Sequence, residues 1–378
     1  MADIRMLTNE EMKVAVRLSD ATFRDAEQPS MGTAFPHIFA DPMMHLSFGA
    51  FEGGKLVSFL GLVPWTIRIG EAKLRVFSLG SVCTDPEARG RGMASEVLQE
   101  IYRFIRKAGA SLLLVSGNRT LYTRTGCAEF GRIARFGLDA ETAERLLASP
   151  SASAYSVREM APEDIYDLYD LASQRSVRYD FSVNELAALI KSEALASCLK
   201  MKHRVLIAEN GGKPAGFAVI GVAIRSERRG LVLEQAGEPD AVVRLATQAV
   251  KSFGLAGLDF PVPWHETELH ARLQGVPSSN EDHLGTIRVM DGAALVEQLR
   301  PWLDSSKPGA AAGLRLEERE DGSWMLDTGS QRLILTPREL VRLLFDRATD
   351  DDAAPIQAHA PEGLFPIPFP YPGGLAYI

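Results

Sequence analysis

Apolar residues spaced three and four apart, at Val97, Leu98, Ile101, Phe104 and Ile105, predict an amphipathic helix over residues 93–107. Upstream of it the pattern changes. Residues 45–51 and 56–63 are apolar runs parted by Glu52-Gly53-Gly54-Lys55, and a glycine pair between two such runs predicts a β-hairpin. Residues 74–84 read as a further strand that stops at Thr84-Asp85-Pro86, and residues 111–116 as a short buried strand. A first helix starts after Thr8, whose hydroxyl is suited to cap it with Glu11 three residues on, and carries Val14, Val16, Leu18 and Ala21. The order is helix, hairpin, strand, helix, strand.

A related order returns further along. Met160-Ala161-Pro162-Glu163-Asp164 opens another helical stretch, and Asn210-Gly211-Gly212-Lys213-Pro214-Ala215-Gly216-Phe217 repeats the spacing of the first glycine turn. Leu231-Val232-Leu233-Glu234, a helical segment over 241–253 and Leu255-Ala256-Gly257-Leu258 then echo residues 79–115. Such self-similarity decides architecture before any single motif does, and here it predicts two copies of one fold. The last part differs. Residues 314–317, 323–326 and 332–335 read as short strands, followed by a helix with Thr336 as its cap and Pro337 at its first position, a smaller α+β region. Residues 307–313 and 349–355, the latter with Asp350-Asp351-Asp352, read as loops. Residues 365–378 alternate proline with apolar and aromatic groups, so the tail cannot be helical and is too apolar to stay in solvent; an extended, docked tail is expected.

At 378 residues the chain exceeds one ordinary core, which fits two or three domains. Its 46% hydrophobic and 24% charged content is globular, and no apolar run is long enough to span a bilayer. Met1-Ala2-Asp3-Ile4-Arg5 has no signal-peptide character, and Cys83, Cys127 and Cys198 are odd in number and far apart, so reduced thiols and a cytoplasmic location are expected. A net charge of −8 sets nucleic acid aside as the main ligand and suits a cationic one. The seven histidines and three cysteines show no metal-ligand spacing, so no metal is expected.

Chemistry concentrates at Val82-Cys83-Thr84-Asp85-Pro86-Glu87-Ala88-Arg89-Gly90-Arg91-Gly92-Met93-Ala94-Ser95, where a strand runs through a basic, glycine-bearing turn into a helix. Glycines let backbone approach a diphosphate, helix N–H groups point at it, and arginines neutralise its charge. The bland reading is a turn with two solvated arginines. Two flanking stretches weigh against it. The turn resembles the R-x-x-G-x-A acetyl-CoA signature of the GNAT superfamily of acyltransferases, Leu79-Gly80-Ser81-Val82-Cys83-Thr84 resembles the family strand that pairs with the pantetheine arm, and Leu121-Tyr122-Thr123-Arg124-Thr125-Gly126-Cys127 resembles its L-Y-x-R-x-G element. The resemblance implies that Val82, Cys83, Thr84, Arg89, Gly90, Arg91, Gly92, Met93 and Ala94 bind acetyl-CoA and that Tyr122 is the general acid toward the departing thiolate, where plain packing is its alternative.

Over the whole chain, two such units followed by a small sterol-carrier-protein-like domain are similar to the Eis-type acetyltransferases. That likeness implies an α+β protein with tandem GNAT-like mixed-sheet domains: a catalytic domain over 1–150, a degenerate second copy over 151–283 and a carrier-like domain over 284–378. It further implies transfer to an amine of a small molecule or peptide, self-association, and a catalytic role for the terminal carboxylate, here that of Ile378, although this chain ends in Leu-Ala-Tyr-Ile rather than an aromatic residue. A tail that merely covers an apolar groove is the alternative for Ile378. Where Arg89 to Ala94 would align, the second copy has Glu234-Gln235-Ala236-Gly237-Glu238-Pro239-Asp240-Ala241, whose acidic residues repel a diphosphate, so one CoA site per chain is expected. Cys83 has no histidine partner in the sequence that would make it a nucleophile, and His37, His45, Phe35, Phe39 and Trp65 fit core better than an acceptor pocket. The rival function is a non-catalytic acyl-CoA- or lipid-binding regulator.

Overall fold

The computed structural model describes residues 2–40, 45–149, 153–224, 229–306, 308–309, 311–347 and 364–378; the loop expected at 349–355, with its three aspartates, lies outside the described residues. Two compact units divide the chain, one of Met1–Gly131, Leu284–Ile367 and Ile378, the other of Arg132–His283 and Pro368–Tyr377.

In the first unit the helix Asn9–Phe23 starts from a full capping box, Thr8 receiving the Glu11 N–H while the Glu11 carboxylate receives that of Thr8. Strands β1 (Asp3–Met6), β2 (Phe48–Glu52), β3 (Lys55–Ile69) and β4 (Ala72–Thr84) run antiparallel in that order, and β5 (Leu112–Val115) lies parallel to β4. The β2–β3 turn puts Gly53 at φ 55° and Gly54 at φ 80°, the left-handed pair that a two-residue hairpin needs. β3 continues to Ile69, beyond the apolar run that predicts it. Pro64 hides the continuation, yet it is exposed while Trp65, Ile67 and Ile69 alternate inward, so the strand passes through it. The helix Met93–Lys107 lays Val97, Leu98, Ile101 and Ile105 on Leu60, Leu62, Leu79 and Leu113 of the sheet. Each such side chain contributes roughly 1.5–3 kcal/mol by leaving water.

The second unit repeats this plan. Its sheet runs in the order Ser278–Asp282, Arg132–Leu138, Leu258–Pro263, Gly230–Gly237, Lys213–Ala223, Met201–Asn210, Ser156–Glu159. Gly211 and Gly212, at φ 58° and 78°, form the same hairpin turn as Gly53 and Gly54. The helix Pro239–Ser252 packs Val242, Leu245, Ala246 and Ala249 into that unit's core, with Leu206, Ala218 and Phe260. Arg132–Leu138 follows directly on the first unit yet belongs to the second sheet, and Thr286–Val289 returns to the first sheet beside β5. The boundary expected at residue 150 therefore falls beyond the strand with which the second unit begins.

Residues 315–335 form an antiparallel three-stranded sheet, and the helix Pro337–Phe345 follows, again with a capping box, between Thr336 and Glu339. Contacts group this region with the first unit rather than apart from it. Asp346 fastens it: fully buried, it pairs with Arg342 and accepts the Gly131 N–H at 2.6 Å. In the tail Ile367, Phe369, Leu375, Ala376 and Ile378 are buried and no helix forms.

Candidate active site

Two departures from regular sheet define the site. β4 pairs with β5 only from Val76 with Leu112 to Leu79 with Val115, after which the strands part and residues 80–84 keep β3 alone as neighbour. In the same stretch Phe59 pairs with Cys83 and Gly61 with Gly80, so Ser81 and Val82 together oppose Leu60 in a β-bulge. Ser81 sits at φ 52°, a left-handed conformation costing about 1–2 kcal/mol without glycine, and its Oγ is buried with no hydrogen-bond partner. Packed interiors rarely tolerate that combination of strain and lost bonding, which makes this stretch a candidate for function.

From this bulge β4 leads into the turn. Thr84 is held by Ser58, hydroxyl to hydroxyl at 2.9 Å, and Asp85 Oδ1 accepts the Glu87 N–H at 3.1 Å while its other oxygen takes Lys55 Nζ at 2.7 Å. Gly90 and Gly92 stand at φ 75° and 83°, with nothing within 4 Å of where a Cβ would be, and Gly92 is the N-cap of Met93–Lys107. A helix start leaves its first N–H groups without intrahelical partners, and here no capping side chain takes them. Thr84, Arg89, Gly90, Gly92, Ser95 and Arg124, with Met93 and Ala94, line a cavity of about 650 Å³, open mouth included. Arg91, expected among the binding residues, is not in its wall; both its terminal nitrogens are held by Glu52. Cys83 turns its thiol away to Ser19 at 3.6 Å, and burial pushes it up to about 11, so at neutral pH it is no nucleophile.

Tyr122 lies on the short helix Thr120–Thr123, in one buried cluster with Leu79, Val97, Leu98 and Val115. Burial pushes its phenol up to about 12. Its backbone is tightly held, the carbonyl accepting from Thr125 Oγ1 at 2.8 Å and the Cys127 N–H at 3.2 Å, yet no hydrogen bond reaches its hydroxyl among the described residues. At the parting of β4 from β5, a Cβ built on Gly80 would stand 2.5 Å from the carboxyl carbon and 2.5 Å from an oxygen of Ile378. The chain terminus is thus seated on the bulged strand, and only glycine admits it. His37 lies 5.1 Å from Trp65, ring to ring, Phe39 stacks on Phe59 at 5.5 Å, and Phe35 and Trp65 are buried, so this segment covers β3 as core. His45 is also buried.

Three participants carry no expectation from the sequence. Glycine inside a strand is a standing hint of close backbone approach, which would have found Gly80. Arg124 lies within the quoted Tyr122 stretch, so its place in the wall was readable there. Glu52, partner of Arg91 across 39 positions, had no local signal.

The corresponding turn of the second unit is closed. Pro239 brings no N–H to the helix start, Glu238 before it accepts the Tyr155 hydroxyl at 2.6 Å, and Asp240 pairs with Arg272 at 2.9 Å. Cys83 and Cys127 are buried free thiols. Among the described residues no helix is long and apolar enough to cross a membrane, and no group of three His, Cys, Asp or Glu side chains could hold a metal ion.

Residues 3–130 match the model of an acetyltransferase (GNAT) domain. No curated protein matches the chain in sequence. Among solved structures, a GCN5-related N-acetyltransferase from Anabaena variabilis is similar in fold, with a TM-score of 0.66 at 11% identity over 98% of this chain and 100% of that one. A GCN5-related N-acetyltransferase from Kribbella flavida gives 0.60 at 15% identity over 90% and 89%. Eis1 from Mycobacterium abscessus gives 0.56 at 13% identity over 88% and 84%.

Proposed function

We propose, from the premise that residues 3–130 belong to the GNAT acetyltransferase family, that the chain moves the acetyl group of acetyl-CoA directly to an amine of a small molecule or peptide. The observation that carries this reading is the convergence at the end of β4 of a bulged backbone released from β5, a basic turn opening a helix, and a chain-terminal carboxyl seated on Gly80. Arg89, Arg124 and the N–H groups of Gly90 to Ala94 take the diphosphate, and Arg91 joins them once it leaves Glu52. Backbone donors between Val82 and Thr84 polarise the thioester carbonyl, whose oxygen gains charge as the amine attacks. The new C–N bond forms as the C–S bond breaks, the sulfur leaves as thiolate, and the nitrogen, positively charged on attack, releases one proton to water to become the amide.

Tyr122 meets that thiolate. A phenol near 12 lies above the roughly 8.5 of a thiol, so it first stabilises the sulfur as a hydrogen-bond donor, and solvent restores the proton it gives up. Carboxylates are in general far weaker bases than amines, so Ile378 does not strip an ammonium outright. It anchors the cation and passes its proton to water. The free thiols of Cys83 and Cys127 fit a reducing compartment, and we place the reaction in the cytoplasm.

Release of free CoA thiol from acetyl-CoA, followed with a panel of aminoglycosides, polyamines, lysine and peptides, tests the proposal. Amine-dependent release with a matching acetylated product is expected. Tight acetyl-CoA binding without release across the panel would instead indicate a non-catalytic acyl-CoA-binding regulator.

A further inference from the structure

With no hydrogen bond at the Tyr122 hydroxyl among the described residues, the direction of its phenol is set from behind, by its backbone and by what its ring rests on. A helix of four residues is too short to fix a side chain by its own bonds, and further groups hold it. The Tyr122 carbonyl accepts Thr125 Oγ1 at 2.8 Å, besides the N–H groups of Thr125 at 3.0 Å and Cys127 at 3.2 Å. A carbonyl can only accept, so the Thr125 hydroxyl gives its proton there. The buried Tyr102 hydroxyl, 2.7 Å from Thr125 Oγ1, is then the donor between those two. Burial pushes the Tyr102 phenol up, which keeps that donor present at every ordinary pH. Tyr102 stands on Met93–Lys107, the helix whose first residues line the cavity at the turn, and Arg124 ties the same two elements again by donating to Ser95 Oγ. From the other side the Arg288 guanidinium lies 4.7 Å from the centre of the Tyr102 ring and donates to the Thr125 carbonyl. The Tyr122 ring rests beside Gly117, where a Cβ would stand 3.8 Å from its Cε2, and Thr286 Oγ1 holds the Gly117 carbonyl at 2.9 Å.

Stability alone does not account for this pair of hydroxyls. The Tyr122 carbonyl is already satisfied by two N–H groups, and a buried hydroxyl pair contributes little beyond two apolar groups of the same shape. What the pair does supply is a rigid link from the Tyr122 backbone to the helix that opens the basic turn. We propose that Thr125 and Tyr102 are positioning residues for Tyr122, holding its phenol at a fixed reach from the turn that takes the diphosphate, so that it meets the departing sulfur. The inference rests on the reading of Tyr122 as donor to that thiolate and adds two residues that act through it.

Steady-state kinetics of the full chain with an amine that it acetylates tests this, alongside calorimetric affinity for acetyl-CoA and the Tm. Thr125→Val keeps the shape and removes the hydroxyl. Its kcat should fall ~10-fold while the KM and the affinity for acetyl-CoA stay within about threefold, because a displaced phenol fails the sulfur and not the diphosphate. Thr125→Ser should recover kcat to within about threefold of the native chain. Tyr102→Phe leaves every backbone bond in place, should lower kcat ~3-fold or more, and gives the same reading where the valine variant does not fold. In a chain that already carries Tyr122→Phe, neither change should lower kcat by more than about twofold, since no phenol hydroxyl is left to aim; a merely structural role would lower it there as well. Native kcat in folded Thr125→Val and Tyr102→Phe, with Tyr122→Phe impaired, overturns the positioning alone, as do losses that recur at full size in the Tyr122→Phe chain. Native kcat in Tyr122→Phe itself, or no amine turned over by the native chain, overturns the reading of Tyr122 and this inference with it.

Discussion

Tyr122 and Cys83 are both buried near the end of β4, and burial raises both, the phenol to about 12 and the thiol to about 11. For a donor the consequence is availability: the phenol keeps its proton below about 12, so its contribution is present at every ordinary pH and is lost only as pH climbs toward that value. Tyr122→Phe should lower kcat about 100-fold, within the usual range for one proton donor, and leave the KM for acetyl-CoA within about threefold. The acid limb of the kcat profile then belongs to protonation of the amine and should persist in the Phe variant. An alkaline limb near pH 9 that disappears in Tyr122→Phe would show the phenol titrating far lower than its burial dictates. For the thiol the same shift means inertness. Cys83→Ala should keep kcat within about twofold and cost on the order of 1 kcal/mol of stability, seen as a lower Tm; complete loss of turnover in a folded variant would restore a covalent mechanism.

The bulged end of β4 couples two segments far apart in sequence, Gly80 and Ile378. Because a Cβ on Gly80 would stand 2.5 Å from the terminal carboxyl carbon, Gly80→Ala must push the terminus off its seat. Its kcat should fall about as far as that of a chain lacking Tyr377 and Ile378, while calorimetry shows acetyl-CoA affinity within about threefold of the native chain. Full activity of the folded deletion variant would make the tail a cover and nothing more. The elements legible in the sequence are those whose cause is local: the helical spacing of Met93–Lys107, the caps at Thr8 and Thr336, and the glycine pairs of both hairpins. What escaped has distant causes. β1 is too short to show a period, the extension of β3 runs through a proline tolerated only because its position is exposed, and the sheet that claims Arg132–Leu138 is decided by partners more than a hundred positions on. The turn of the active site was readable as a sequence, but the pairing of Arg91 with Glu52 was not.

Two copies of one plan, each with strands that part past a short parallel pairing, raise the question of how many CoA molecules one chain holds. The strands alone would answer two. The turns answer differently, because diphosphate binding needs positive charge and close backbone approach at a helix start, and although neither start is capped by a side chain, the second lacks the arginines and the glycine pair and loses one N–H to Pro239. At Gly92 no side chain caps the helix, two flexible glycines flank the opening, and Arg89 and Arg124 face it. At Glu238 an acidic side chain already engaged with Tyr155 precedes a proline, and Asp240 adds a second anion in the first turn. A phosphate brought there meets repulsion worth about 1–4 kcal/mol per nearby charge at surface dielectrics. Calorimetric titration with acetyl-CoA should therefore saturate at about one molecule per chain, and Arg89→Glu should remove all of the binding rather than half of it. A residual equivalent in Arg89→Glu, itself abolished by a change in the second unit, would mean that the duplicated fold retains two working cofactor sites.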